Sequence, residues 1–233
     1  MIAGASWTWW LGFHGVIAAL LVADGVAQTR GAVARRGGGK RRVWPALLLL
    51  LVATTAFACW IAWTRGRQPA LEFAAGYVIE TSLSIDNLFV FLVLFQGFEI
   101  GPERQEEALL WGIGGAVVLR ALFIAAGVIL LSRFEWVTLV LGAFLLFAAF
   151  RLARGRSAQD AIPGWVKRLQ PAHGSLLPVI LAVEFTDLLF ATDSIPAVLA
   201  VTHNPFVAYT SNIAAILGLR SLYLGLSGIT TDS

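Results

Sequence analysis

Charged residues are scarce in this 233-residue chain, where they make up 13% of the sequence, against roughly 25% in an ordinary soluble domain. Cysteine is scarcer still, because Cys59 stands alone inside an apolar run. A single cysteine excludes an intrachain disulfide and a thiolate cluster for zinc or iron–sulfur. Methionine occurs once, at position 1, which excludes soft thioether metal sites as well.

Hydrophobic residues, in contrast, account for 58% of the chain. Apolar runs of about 20 residues, long enough to cross a ~30 Å hydrocarbon core, recur along its length. We therefore expect an all-α fold, a polytopic bundle of about seven transmembrane helices in contact with the lipid bilayer. The predicted helices span 7–28, 44–63, 71–98, 107–131, 135–151, 175–200 and 206–227.

Most of the basic residues lie in two predicted loops, 30–42 and 151–170. Four predicted helices separate these loops, so both can lie in the cytoplasm under the positive-inside rule. This orientation places the N-terminus outside and the C-terminus in the cytoplasm. The basic residues form no continuous face that could track phosphates along a nucleic acid, so we expect no nucleic-acid partner.

The third and sixth predicted helices resemble each other at an offset of 107 residues, since ETSLSIDN at 80–87 aligns with DLLFATDS at 187–194. The alignment pairs Glu80 with Asp187 and Asp86 with Asp193. These two helices run in opposite directions in the expected topology. We therefore predict an inverted repeat, the arrangement that builds many transporters around a midplane site.

The fourth and seventh predicted helices repeat as well, at an offset of 100 that pairs Arg120 with Arg220. The expected organisation is a two-helix segment with a basic cytoplasmic loop at 1–70, a first three-helix repeat at 71–152 and a second repeat at 175–228. No counterpart of the helix at 135–151 follows the second copy, so we expect that copy to be truncated.

Several acidic side chains lie inside the apolar segments, where each costs about 2.5–3.5 kcal/mol on insertion scales. Such a set of oxygen donors, poor in histidine and free of sulfur, suits Mg²⁺, Ca²⁺ or Mn²⁺ better than Cu⁺ or Zn²⁺. The predicted metal-binding residues are Glu80, Asp86, Asn87, Glu184, Asp187, Asp193 and Ser194.

Residues six apart on one helix lie ~9 Å apart along its axis, too far to chelate one ion together. We therefore place Asp86 and Asp193 opposite each other as primary ligands, and assign the other acids to secondary ligation or proton transfer. Pro196 predicts a break in its helix that frees the carbonyl of Thr192.

Three alternatives remain open. Arg120 and Arg220, which we interpret as ion-pairing or gating residues, could neutralise the acids simply to hold the bundle together. The acids outnumber these two basic groups, and the excess negative charge favours a cation site. The second alternative is a scaffold or sensor that binds metal without transporting it. The third is an exporter of organic solutes, but the carboxylate-rich repeat argues against it.

The segments E-T-S-L-S-I-D-N-L-F-V-F at 80–91 and E-F-T-D-L-L-F-A-T-D-S-I-P-A at 184–197 resemble the two signature stretches of the TerC family. The resemblance runs from about residue 70 to 226 and includes N-I-A-A-I-L-G-L-R-S-L-Y at 212–223. This family of integral membrane proteins is named for tellurium resistance. The resemblance implies metal-ion homeostasis, chiefly manganese export across the bacterial cytoplasmic membrane. It implies that the acids which carry this role match Glu80, Asp86, Asp187 and Asp193.

We accordingly expect a secondary transporter that exchanges a divalent cation, Mn²⁺ above all, for protons. No nucleophile–base pair or nucleotide-binding loop is visible, so we expect no enzyme activity. We also expect no permanently bound cofactor. The sequence leaves open whether the chain forms a homo-oligomer.

Overall fold

The structure, a computed structural model, describes residues 6–18, 40–134, 136–137, 139–140, 142–143, 146, 150 and 175–230. Within these ranges it leaves out the side chains of residues 40–46, 86, 102–103, 106, 219–222 and 224–230.

The described residues form helices and the short turns between them, without a strand. The expected all-α membrane bundle is therefore confirmed. The described residues from 136 to 150 are also helical, whereas residues 19–28 of the first predicted helix lie outside the description. The helices are α1 (7–18), α2 (Lys40–Arg65), α3 (Arg67–Gly97), α4 (Pro102–Arg133), α5 (Leu177–Val201) and α6 (Pro205–Thr230).

Three of the described helices contain segments long and apolar enough to cross a membrane: Leu47–Arg65, Arg67–Gly97 and Glu107–Arg133. Large apolar side chains such as Trp63, Val78 and Leu122 are exposed on the outside of the bundle. Exposed apolar surface of this extent is what a lipid-facing helix presents. The chain is therefore an integral membrane protein.

Very short connections fold successive helices back on each other. Gly66 alone separates α2 from α3, with φ of 94°, in the region that glycine enters without steric cost. Residues 202–204 join α5 to α6, and the Asn204 side chain accepts the Phe206 N–H at 3.1 Å. This bond satisfies one of the free donors at the start of α6.

The two halves of the predicted repeat run in opposite directions. The Thr202 hydroxyl, just past the end of α5, donates to Glu72 near the start of α3 at 2.6 Å. The Tyr223 hydroxyl, towards the end of α6, donates to Gln105 near the start of α4 at 2.6 Å. Each helix is therefore antiparallel to its sequence counterpart, as an inverted repeat requires.

The four repeat helices form the centre of the bundle. α3 packs against α5 and α6, α4 packs against the same two helices, and α2 covers α3 and α6 from outside. α1 joins the side of α6, where His14 Nε2 and the Tyr209 hydroxyl are hydrogen-bonded at 3.0 Å. The side chains of Glu80 on α3 and Asp187 on α5 are buried between these helices rather than exposed to lipid.

Glycine permits a close approach in each half of the bundle. A Cβ on Gly76 of α3 would lie 2.6 Å from Ser211 Oγ of α6, and one on Gly112 of α4 would lie 2.7 Å from Val183 Cγ1 of α5. Small residues at such points let helix backbones pack closely within a membrane.

The predicted break at Pro196 is wrong. α5 runs without interruption from Leu177 to Val201, with Pro196 inside it. A proline removes a single backbone donor, and neighbouring helices in a membrane bundle can hold the helix together around it. The Thr192 hydroxyl donates to the Leu189 carbonyl at 2.6 Å, so this side chain also bonds within its own helix.

Candidate functional site

Arg120 of α4 lies at the centre of the bundle with no exposed surface. A buried guanidinium is tolerated in a membrane only when its charge and its donors are matched. Its Nη2 donates to Asp187 Oδ1 at 2.9 Å, and its Nε faces Asp187 Oδ2 at 3.4 Å. On its other edge, Nη1 forms an ion pair with Glu80 Oε1.

Glu80 of α3 is fully buried, and both of its oxygens have partners. Oε1 accepts from Arg120 and from the Ser84 hydroxyl, the latter at 3.1 Å. Oε2 accepts from Asn212 Nδ2 of α6 at 2.9 Å. A carboxylate bound in this way is strongly oriented, because charge-assisted hydrogen bonds reach it from three side chains.

Asn212 ties the network together from α6. Its Oδ1 accepts from Arg120 Nη1 at 2.6 Å while its Nδ2 donates to Glu80. Ser194 of α5, a predicted ligand, lies 3.4 Å from the same Nη1. The buried centre therefore draws residues from all four repeat helices, and the sequence prediction missed Asn212. The repeat alignment could have drawn attention to it, since Asn212 stands one position past the start of the aligned segment.

The formal charge of this centre is negative, because two carboxylates share one guanidinium. Arg120 compensates one of the two negative charges by forming ion pairs with both carboxylates, an arrangement that the structural ion-pair alternative also allows. The predicted role of Glu80 and Asp187 as metal ligands is untested by this geometry, since both are engaged by Arg120.

Glu184 lies one turn before Asp187 on α5 and differs from it in its contacts. Its Oε2 is buried and finds no hydrogen-bond partner among the described residues. The carboxylate lies directly against the backbone of Gly115 on α4, where a Cβ would collide with it. Glycine at this position therefore creates the space that the Glu184 carboxylate occupies.

The other predicted site residues are only partly described. The side chains of Asp86 and Arg220 lie outside the description, so the proposed pairing of Asp86 with Asp193 stays a prediction. Asn87 and Ser194 are buried, at 3% and 2% exposure. Across the side chains that the structure does describe, no three acidic, histidine or cysteine residues converge as a metal-binding group.

Comparison with known proteins identifies the family of the chain that forms this buried centre. The family described as "Integral membrane protein TerC family" matches residues 65–232, which include α3 to α6 and all of the residues around Arg120. The chain belongs to the TerC family. The resemblance seen in the two acidic stretches is therefore confirmed.

Relatives occur in bacteria and in plants. Alx of Salmonella typhi, for which a role as a membrane-bound redox modulator has been suggested, is 39% identical over 94% of this chain and 77% of its own length. The membrane protein STKORF319 of Myxococcus xanthus is 38% identical over 94% of this chain and 75% of its own. The chloroplast thylakoid membrane protein TERC of Arabidopsis thaliana is 38% identical over 77% of this chain and 53% of its own. No solved structure matches the chain.

Proposed function

We propose that this TerC-family protein exports divalent metal cations, with Mn²⁺ as the main substrate, through the acidic residues of its inverted repeat. The observation that carries the proposal is that the acids at the centre of the bundle differ in their hydrogen-bond partners. Glu80 and Asp187 are bound by Arg120, whereas the Glu184 carboxylate lies beside them with a buried oxygen that has no partner in the described part of the chain. An unpaired carboxylate oxygen inside a membrane bundle requires an occupant such as a proton, a water molecule or a cation.

The ligand chemistry supports manganese over softer metals. Carboxylate, amide and hydroxyl oxygens surround the centre, and these donors suit Mn²⁺, Mg²⁺ and Ca²⁺. Proton exchange at the acids would supply the driving force. In this hypothesis Arg120 holds Glu80 and Asp187 in place between transport cycles and lowers the repulsion among the acids when no cation is bound.

We also propose the bacterial cytoplasmic membrane as the location, with the N-terminus outside and the basic loops inside. The positive-inside rule supports this orientation. We further propose that the protein has no enzyme activity and holds no permanently bound cofactor.

A metal-binding scaffold or sensor without transport is the second candidate. The observation that favours it is the complete pairing of Glu80, which is what a purely structural ion-pair network would show. The two candidates differ in flux, because a scaffold binds metal but moves none.

Manganese retention in cells that lack their own exporter tests the proposal. Intracellular manganese is measured after a load, with the parent chain and with its Asp86→Asn/Asp193→Asn variant at matched membrane levels. Export predicts that the parent lowers manganese and the variant does not. If neither chain lowers manganese although both reach the membrane, export is contradicted.

A further inference from the structure

A cavity of about 60 Å³ lies between α2, α3 and α6, beside the buried centre. Three polar residues of α3 line one wall: Tyr77, Thr81 and Ser84. The opposite wall consists of Ala215 and Gly218 of α6, and leucines of α2 cover the outside. Because a water molecule needs roughly 10–15 Å³ of such volume, the cavity has room for several.

Thr81 offers a free hydroxyl to this cavity. Its Oγ1 is buried and finds no hydrogen-bond partner within the described ranges. Neighbouring hydroxyls behave differently, since Ser82 of α3 and Thr186 of α5 each donate to the carbonyl four residues earlier, at 2.7 Å. A buried hydroxyl that does not form this usual bond calls for another partner.

Ser84 connects the cavity with the centre. It lines the cavity and donates to Glu80 Oε1 at 3.1 Å. A water molecule or an ion in the cavity would thus lie one hydroxyl away from a carboxylate of the Arg120 network.

The internal repeat relates this cavity to another polar site. The offsets of 107 and 100 residues match Tyr77 with Glu184 and Ala215 with Gly115. In the other half of the bundle, the corresponding place between α5 and α4 is where the Glu184 carboxylate lies against Gly115. Each repeat therefore sets a buried oxygen without a partner in the described chain beside the Arg120 centre, Thr81 on one side and Glu184 on the other.

We infer that the cavity between α2, α3 and α6 is a hydrated vestibule through which water and a hydrated divalent cation reach Glu80 by way of Thr81 and Ser84. The cation part of this inference rests on the proposed export function, whereas the hydration part stands without it. The cavity lies towards the N-terminal half of α2, which faces the cytoplasm in the proposed orientation. It would therefore be the entrance for exported ions.

Thiol accessibility tests hydration without any transport. In a Cys59→Ala background, Ser84→Cys is treated with a small, water-soluble, cationic methanethiosulfonate in membrane vesicles. Ser211→Cys is the matched control, since Ser211 is also buried but lies at the close contact with Gly76. We expect Ser84→Cys to react on the order of tenfold faster, because the rate depends on the access of water and reagent to the thiolate.

Filling the cavity tests the route. A Cβ on Gly218 would meet nothing within 4 Å, so Gly218→Ala and Gly218→Val should narrow the cavity in two steps without unfolding the chain. Gly114→Ala and Gly114→Val are the controls, because Gly114 has equally free space on α4 but does not line the cavity. We expect the Gly218 series to slow both the reaction of Ser84→Cys and manganese export in order of size, and the Gly114 series to leave both unchanged.

The outcomes test the hydration of the cavity and its use as an ion route separately. If Ser84→Cys is as unreactive as Ser211→Cys, the cavity is dry and the inference is overturned. If it reacts but Gly218→Val exports as the parent does, the vestibule is hydrated and the route is overturned. If the parent itself exports no manganese, the proposed function fails, while the thiol rates still decide whether the cavity is hydrated. A thermal unfolding temperature of Gly218→Val close to that of the parent excludes misfolding as the cause of any loss.

Discussion

Glu80 and Asp187, which correspond to each other in the two sequence repeats, bind opposite edges of the same guanidinium. Arg120 Nη1 holds Glu80, and Arg120 Nη2 holds Asp187 at 2.9 Å. The inverted repeat thereby brings its two halves together at one buried positive charge. Any movement of one half against the other must strain or break a bond to Arg120.

Replacement of Arg120 by methionine should destabilise the protein strongly. The change leaves two buried carboxylates without their counter-charge, and breaking a buried ion pair from one side typically costs about 3–5 kcal/mol. We expect a large fall in the thermal unfolding temperature of the purified protein in detergent. The triple variant Glu80→Gln/Arg120→Met/Asp187→Asn, which removes all three charges, should recover much of that fall. Equal unfolding temperatures of Arg120→Met and the parent would contradict the proposed network.

Replacement of Asn212 by leucine should cost about 1–3 kcal/mol, because it leaves Glu80 Oε2 buried without its donor. Thr210→Val is a suitable control on the same helix, since Thr210 is also fully buried but donates only to backbone carbonyls. Unfolding in detergent should show a clearly larger loss for Asn212→Leu than for Thr210→Val. Similar losses for both would mean that Asn212 contributes no more than ordinary packing.

Substitution of Gly115 by alanine should destabilise the bundle, because the new methyl group collides with the Glu184 carboxylate. Overpacking of this kind typically costs about 1–3 kcal/mol. Gly114→Ala, one residue away and with free space around its Cβ, should be close to neutral. A second substitution, Glu184→Ala, should remove most of the cost of Gly115→Ala, and the coupling is measured by a double-mutant cycle. Additive effects of the two changes would show that the contact is absent.

Glu184→Gln should separate stability from transport. The Glu184 Oε2 atom accepts no hydrogen bond from the described residues, and neither ion pair of the Arg120 centre includes Glu184, so neutralising this carboxylate leaves both of those pairs intact. We expect an unfolding temperature near that of the parent together with a loss of manganese export from loaded cells. Retained export in Glu184→Gln would remove this carboxylate from the proposed ion path.

The sequence predicted the fold well because insertion into a membrane depends on local composition. A charged residue inside a long apolar run is visible without any tertiary information, and this identified Glu80 and Asp187, which are buried, and Glu184, which is partly buried. Their partners were less accessible to prediction. The reach of Arg120 to both repeats, the bridge through Asn212 and the space at Gly115 all depend on how four helices pack.

The prediction of a helix break at Pro196 was wrong because it relied on a local rule alone. The local rule that proline disrupts a helix was applied to a helix that packed neighbours hold continuous. Local patterns thus predicted which residues enter the membrane centre, but the contacts formed there depend on the arrangement of the whole bundle.

Flux of radioactive manganese through the purified chain in proteoliposomes tests the central claim most directly, since it excludes other cellular exporters and distinguishes transport from binding. The parent, Glu184→Gln and Gly114→Ala are reconstituted at equal density with an imposed proton gradient. The account predicts manganese movement with the parent and with Gly114→Ala, and none above protein-free vesicles with Glu184→Gln. Manganese that binds the parent but does not cross the membrane would contradict export and favour the scaffold.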